Sequence, residues 1–496
     1  MELRSWVWMS GATLLACYFV VNIFGRRVNE WYYDFKLGRK HRLLPPGDMG
    51  WPLIGKTWFF IKHLTSGNAH PDLFLNDLVS KYGKASMYKT HLFMNPGIVV
   101  YTLEACRKVY SDENKFKLAY PQTTLTVAQS PINDVSSEEQ KRFRRLIIAP
   151  IMGYNALAKF LDRMEDTVIE SLEGMARRST KQPVMAFKET MALSLRFIVH
   201  IFIGSYHHRD TIKQIEDLFR AVDDALFSWP INLPGFTYYK ALKNRKKVEE
   251  IVQSIVEERK LMIKNGNEVR EKKDLVDILL EVEDVNGRKL KGEDIVNMLV
   301  LFLLAGHVST ATVIMWSMVY LTNNPLAFNK AKEEILKSRP LLQKHLSMEE
   351  IKKMTYFKKV INEVIRVTEW AIPFFREATT DVDINGYIIP KGWRVFIWPR
   401  GCHRSSEYFP NSEDFNPSRW DDDDDFTKGG AFFPFGVGPR MCPGRDLTKI
   451  GMFIFLHHFV RNYKFEQINP ECPVSYVPVP VPKDQCLARV IKVSME

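Results

Sequence analysis

Phe433–Pro434–Phe435–Gly436–Val437–Gly438–Pro439–Arg440–Met441–Cys442–Pro443–Gly444 is the stretch on which the reading of this chain turns. It is a glycine-punctuated loop that delivers one cysteine to the start of a helix. Behind it Leu447, Ile450 and Ile454 recur at helical spacing, with Phe453 beside them. Pro443 suits the first helical turn, where a missing N–H costs nothing. A thiolate at Cys442 would feel the helix N-terminus and accept hydrogen bonds from loop N–H groups, both of which lower its pKa. Gly438 and Gly444 permit backbone angles and close approaches that a side chain would block. A buried free thiol is the commonest fate of a cysteine. A loop built this way instead suits one that ligates a soft metal centre.

Phe435, Gly438, Cys442 and Gly444 occupy every fixed position of the pattern F-x-x-G-x-x-x-C-x-G. The stretch resembles the haem-binding loop of the cytochrome P450 superfamily, in which a cysteine thiolate is the axial iron ligand. That resemblance implies a mainly α fold with a smaller β-rich part, and haem b held by Cys442.

Composition agrees with a large globular body. The chain has 496 residues, 46% of them apolar and 26% charged. No Gly/Ser linker, repeat or low-complexity block divides it. Helical signals dominate the middle, and short strand-like runs cluster near residues 85–103 and 384–398. One large catalytic domain over residues 45–496 is expected, after a segment 1–44 of anchor and basic linker. The six cysteines, at 17, 106, 402, 442, 472 and 486, show neither paired metal spacing nor a small disulfide framework, which fits a reducing compartment. A net charge of +11 fits an anionic membrane or an acidic protein partner, and no nucleic-acid motif accompanies it.

Trp6–Phe24 is charge-free and long enough to cross a bilayer core as a helix. Arg26, Arg27, Lys36, Arg39, Lys40 and Arg42 follow it, against Arg4 before it, so the positive-inside rule places the rest of the chain in the cytosol. Leu43-Leu44-Pro45-Pro46-Gly47 then stiffens the chain after the anchor. It is similar to the proline hinge of microsomal P450 enzymes. The resemblance thus implies a single-pass protein of the endoplasmic reticulum membrane.

Further motifs of the same superfamily appear in its order. The charge run from Ser136 to Arg145 opens a helix with Ser137 as its N-cap. By resemblance, Arg144 there pairs with a haem propionate, as do Arg376 and Arg440. Gln140 stands where the superfamily usually has a Trp or His. The residues 295–321 contain no Asp, Glu, Lys or Arg, yet Asn297, Gly306, His307, Ser309, Thr310 and Thr312 lie along them and acids precede them. A buried central helix is expected rather than a membrane span.

Within it, Ala305-Gly306-His307-Val308-Ser309-Thr310 resembles the oxygen-binding segment A-G-x-(D/E)-T-(T/S), so Ser309 and Thr310 are the expected proton relays. Val308 replaces the usual acid, which implies a slower or less coupled enzyme. Ser347-Met348-Glu349-Glu350 is a capping box. Glu363 and Arg366 form an E-x-x-R pair, joined by Arg419 of Phe415–Trp420 in a structural lock behind the cysteine loop. Trp370–Phe375 and Pro478–Pro482 are expected pocket walls, and His403 is expected to be structural. Asp421–Asp425 reads as a solvated loop, and the cluster Lys240, Lys243, Arg245, Lys246, Lys247 as a wet helix face.

The segments at 44–55, 385–394 and 415–421 resemble those of the plant group that contains ent-kaurenoic acid oxidase and β-amyrin 11-oxidase. The implied reaction inserts one oxygen of O2 into a C–H bond of a polycyclic terpenoid, a triterpene such as β-amyrin being favoured. Electrons would come from NADPH through a membrane-bound cytochrome P450 reductase. Ent-kaurenoic acid is the alternative substrate, and a non-oxygenating haem-thiolate isomerase or dehydratase the alternative chemistry.

Overall fold

Helices carry most of the chain. The computed structural model describes residues 25, 27–65, 70–128, 137–204, 209–223, 225, 228–265, 273–283, 287–339, 345–368, 373–421 and 430–493. The expected anchor Trp6–Phe24, the residues Trp370–Ile372 of the expected pocket wall and Asp422–Asp425 lie outside them. The helices that matter below are α1 (Ser137–Phe143), α2 (Leu161–Ser179), α3 (Ala186–Phe202), α4 (Arg209–Asp223), α5 (Thr237–Lys264), α6 (Gly292–Asn323), α7 (Thr355–Val367) and α8 (Arg445–Asn462).

The charge-free run does form one helix, α6, 32 residues long. Its first turn holds Glu293 and Asp294, where the unpaired N–H groups favour acids. It is the one helix among the described residues long and apolar enough to cross a membrane, but most of it is buried inside the protein. It packs against α3, α5, α7 and α8. Its apolar surface therefore faces other helices, as a core helix requires.

The chain divides into two compact units, residues 1–120 with 372–402, and residues 121–371 with 403–496. The first holds the main sheet, built from β1 (Gly47–Asp48), β2 (Met87–Leu92), β3 (Asn95–Val100), β4 (Phe116–Leu118), β5 (Phe374–Ala378) and β6 (Arg394–Ile397). Its order is β1-β2-β3-β6-β5-β4. The two strand-like runs of the sequence are the centre of this sheet: β2 pairs with β3 antiparallel, and β3 with β6 parallel.

The second unit buries one continuous core drawn from α2, α3, α5, α6, α7 and α8. Leu447, Ile450, Phe453 and Ile454 all point into it, as their spacing predicts. The capping box forms as expected. Ser347 Oγ accepts from Glu350 N at 3.2 Å, and Glu350 Oε2 accepts from Ser347 N at 2.7 Å. The basic cluster on α5 is not wholly a wet face. Arg245 is buried and donates to the Val127 carbonyl at 2.8 Å and to Asn297 Oδ1 of α6 at 3.1 Å. Its charge is compensated there by Glu249, one turn further on.

Candidate active site

The loop before α8 is shaped by two left-handed residues, Gly436 (φ 72°) and Gly438 (φ 80°). Only a residue without Cβ adopts such angles readily. Sequence reading singled out Gly438 and missed Gly436, whose signal was its place in the same glycine-rich run. The turns close on backbone bonds: Gly436 N donates to Phe433 O at 2.9 Å, Met441 N to Gly438 O at 3.1 Å, and Cys442 N to Phe435 O at 2.8 Å. Phe435 thus holds the cysteine through its carbonyl.

Helix α8 begins at Arg445 with Gly444 as its N-cap, so Pro443 lies outside the first helical turn expected for it. Gly444 has an ordinary φ of −82°, and a Cβ there would sit 3.9 Å from Cys442 Sγ, an ordinary contact. Neither the backbone angle nor the close approach expected at Gly444 therefore requires a glycine there.

Cys442 Sγ receives the N–H groups of Gly444 and Arg445 and feels the guanidinium groups of Arg144 and Arg445. Burial nonetheless outweighs all four and pushes the thiol up, opposite to the direction expected from the helix N-terminus. The residue is at the same time exposed. Two N–H groups and two guanidinium charges converge on this sulfur, an environment that favours its thiolate once a metal cation is bound to it. Among the described residues no three His, Cys, Asp or Glu side chains converge as a metal site. Cys442 offers a soft sulfur ligand there, which fits the haem iron that the resemblance of its loop implies.

Arg144 is brought to this loop. Helix α1 passes at Arg144 into a π-helical turn, Arg144–Ile148, which the sequence did not announce. Such turns recur at functional positions. Arg144 Nη1 donates to the carbonyls of Pro439 at 3.1 Å and Met441 at 2.6 Å, and its Nε–Nη2 edge makes no bond of its own among the described residues. Burial lowers its pKa, with Cys442 acting in the opposite direction. One turn earlier Gln140 is buried with Oε1 unpartnered among the described residues. A buried amide left unsatisfied asks for a further polar group. Arg440 sits half-buried in the loop itself. Arg376 lies in the other unit, in β5, buried with its guanidinium 5.7 Å from the Tyr110 ring.

On α6 the expected segment separates into faces. Ala305 is exposed and Gly306 and Ser309 half-exposed in the middle of an otherwise buried helix, while His307, Val308 and Thr310 are buried. Ser309 Oγ donates to the Ala305 carbonyl at 3.2 Å. Thr310 Oγ1 instead meets Thr448 Oγ1 of α8 at 3.1 Å. The two hydroxyls expected to act together therefore point to different surroundings. Ser309 is the accessible one, and Thr310 joins the two helices.

Behind the loop, Glu363 and Arg366 of α7 are fully buried. Glu363 Oε1 accepts from Arg366 Nη2, Arg419 Nε and Asn416 N, each at 2.9 Å. Its Oε2 accepts from Arg366 Nε at 2.9 Å and Trp420 Nε1 at 3.0 Å. Arg366 Nη1 and Nη2 go on to the carbonyls of His403, Ser412 and Asp414. The link to the loop runs through His403, whose Nε2 accepts from Phe433 N at 3.0 Å. His403 is thus structural, as expected.

A cytochrome P450 family model matches residues 45–478. The chain belongs to the cytochrome P450 family. This P450 is 55% identical to β-amyrin 11-oxidase of Glycyrrhiza uralensis over 99% of both chains. It is 43% identical to a 7,8-epoxymelianol synthase of Citrus sinensis, and 40% identical to ent-kaurenoic acid oxidase 1 of Arabidopsis thaliana, each over 99% of both chains. Among solved structures its fold matches a retinoic acid-bound cyanobacterial P450, CYP120A1, with a TM-score of 0.79 at 23% identity, over 91% of this chain and 99% of the other. The P450 fold expected from the cysteine loop is therefore the fold of this chain, and the chain is a P450 monooxygenase.

Proposed function

We propose that this P450 is a microsomal terpenoid oxidase that hydroxylates a C–H bond of a triterpene such as β-amyrin. The observation that carries the reading is the 55% identity with β-amyrin 11-oxidase from end to end, with Cys442 in its loop. Haem b, when bound, supplies the activation of O2 and the insertion of one oxygen atom, with electrons from NADPH through a cytochrome P450 reductase. Cys442 is its iron ligand, held by Phe435 and the N–H groups ahead of α8. The Nε–Nη2 edge of Arg144 and the guanidinium of Arg440, both in the second unit, would hold propionates, and the amide NH2 of Gln140 would add a neutral donor beside Arg144. Ser309 moves protons on the accessible face of α6, and Thr310 holds that face against α8. Trp6–Phe24 anchors the chain in the endoplasmic reticulum membrane, with the catalytic body cytosolic.

Co-expression with a plant reductase and separate feeding of β-amyrin and ent-kaurenoic acid, read by mass spectrometry, tests this. An oxygenated β-amyrin product that requires NADPH is expected. Turnover of ent-kaurenoic acid alone would replace the substrate. Product formed without NADPH would replace the reaction by an isomerisation or dehydration.

A further inference from the structure

Asp223 is the last residue of α4. A carboxylate there faces the negative end of the helix dipole, the less favourable end for it. It is also buried, so its position needs compensation from elsewhere in the fold. His307 of α6 supplies it: Nε2 lies 2.9 Å from Asp223 Oδ2. The other ring nitrogen, Nδ1, lies 2.9 Å from the Leu303 carbonyl and must therefore carry a proton. Phe219, one turn before Asp223 on α4, stacks on the same imidazole at 5.2 Å between centroids. Helix α4 thus grips one side chain of α6 by its face and its edge. From α3, Ser194 Oγ donates to the His307 carbonyl at 2.7 Å.

Helices α4 and α3 both converge on this residue of α6, which sits between Ala305 and Ser309. Residues four apart share a helix face, and His307 falls on a different one. It is fully buried, whereas Ala305 and Ser309 are accessible. The pair therefore acts from behind the accessible face. Burial by itself would depress the imidazolium, but the charge of Asp223 and the hydrogen bonds reverse this and raise its pKa.

We propose that Asp223 and His307 are a positioning pair. They fix the last turn of α4 on the stretch of α6 that presents Ala305 and Ser309, and so set how tightly the terpenoid is held without touching it. The proposal rests on the terpenoid oxidase reading.

Asp223→Leu leaves the imidazole Nε2 without a partner and frees the end of α4. In haem-loaded enzyme with reductase, KM for the terpenoid is expected to rise about tenfold or more, the effect of losing one charged hydrogen bond, with kcat changed less than about twofold. Asp223→Asn should recover most of the loss, because its amide N–H donates to Nε2 of a neutral imidazole. Asp223→Glu keeps the charge but displaces it by one methylene, and is expected to raise KM measurably while the reduced carbon monoxide spectrum stays intact. It serves as the test should the leucine variant fail to load haem. A melting temperature lowered in Asp223→Leu with KM unchanged would show a merely structural pair and overturn the proposal, as would an unchanged KM in Asp223→Glu. Wild-type enzyme inactive on every terpenoid would instead defeat the functional reading.

Discussion

One sulfur atom carries the reaction assigned here. Cys442→Ser keeps the size of the side chain but offers a hard, poorly ligating oxygen in place of a thiolate. The variant is expected to lose both the thiolate-type Soret band of the reduced, carbon monoxide-bound protein and all terpenoid turnover, while circular dichroism shows the helices retained. A surviving band would remove Cys442 as the ligand. A second residue bears on efficiency. Val308 is buried beside Ser309 and its side chain offers no proton. Val308→Glu is expected to cut peroxide released per NADPH severalfold and to lower the melting temperature, since an unpaired buried charge costs about 3–5 kcal/mol. Equal peroxide yields in the two proteins would mean that the relay never depended on an acid at this place. The identity of Cys442 was legible because its neighbours in sequence are its neighbours in space. The direction of its pKa was not, because burial decides it and no local pattern discloses burial. The contact of Thr310 was not legible either: its partner Thr448 lies 138 residues on, and no local pattern marks it.

Among the elements, α7 shows what a short motif can disclose. An E-x-x-R pair usually forms a weak exposed contact, yet here Arg366 spends all three of its nitrogens on Glu363 and three carbonyls, and its guanidinium lies 5.4 Å from the Phe409 ring. A planar fork with five N–H groups is required, and a lysine ammonium cannot reproduce it. Arg366→Lys is therefore expected to destabilise the second unit by about 3–5 kcal/mol, the usual cost of breaking a buried charge network. Because His403 links that network to the backbone of Phe433, haem content should fall as well. Melting temperature and the ratio of haem absorbance to protein measure the two effects, and full haem occupancy in the variant would disconnect the lock from the loop. The motif was visible in sequence; the five-fold use of the arginine was not, since three of its acceptors are backbone carbonyls on other segments. The π-helical turn at Arg144 escaped in the same way, as nothing in Arg144–Ile148 distinguishes it from ordinary helix.

At the scale of the whole molecule, the helical bulk and the smaller sheet followed from the periodicities, and α6 was correctly kept inside the protein because polar groups dotted its length. The buried ion pairs that stitch distant helices were not legible, and Glu165 belongs to one of them. It lies on α2, where its Oε1 meets His458 Nε2 of α8 at 2.7 Å and its Oε2 accepts from Leu346 N at 2.6 Å, with Arg339 close by. Burial raises its pKa, but these donors outweigh burial and hold the carboxyl below its ordinary value. A carboxylate whose pKa is depressed on folding contributes stability that is fully present above its unfolded value, about 4.3, and is lost as the pH falls through the folded one. Glu165→Gln cannot titrate and lacks the charge, so its melting temperature is expected to lie several degrees below wild type at pH 7. That gap should stay constant on acidification to about pH 5 and close progressively below about pH 4.3. A gap that widened with acid would require the carboxyl to be raised rather than depressed, and α2 and α8 would then be joined by packing alone.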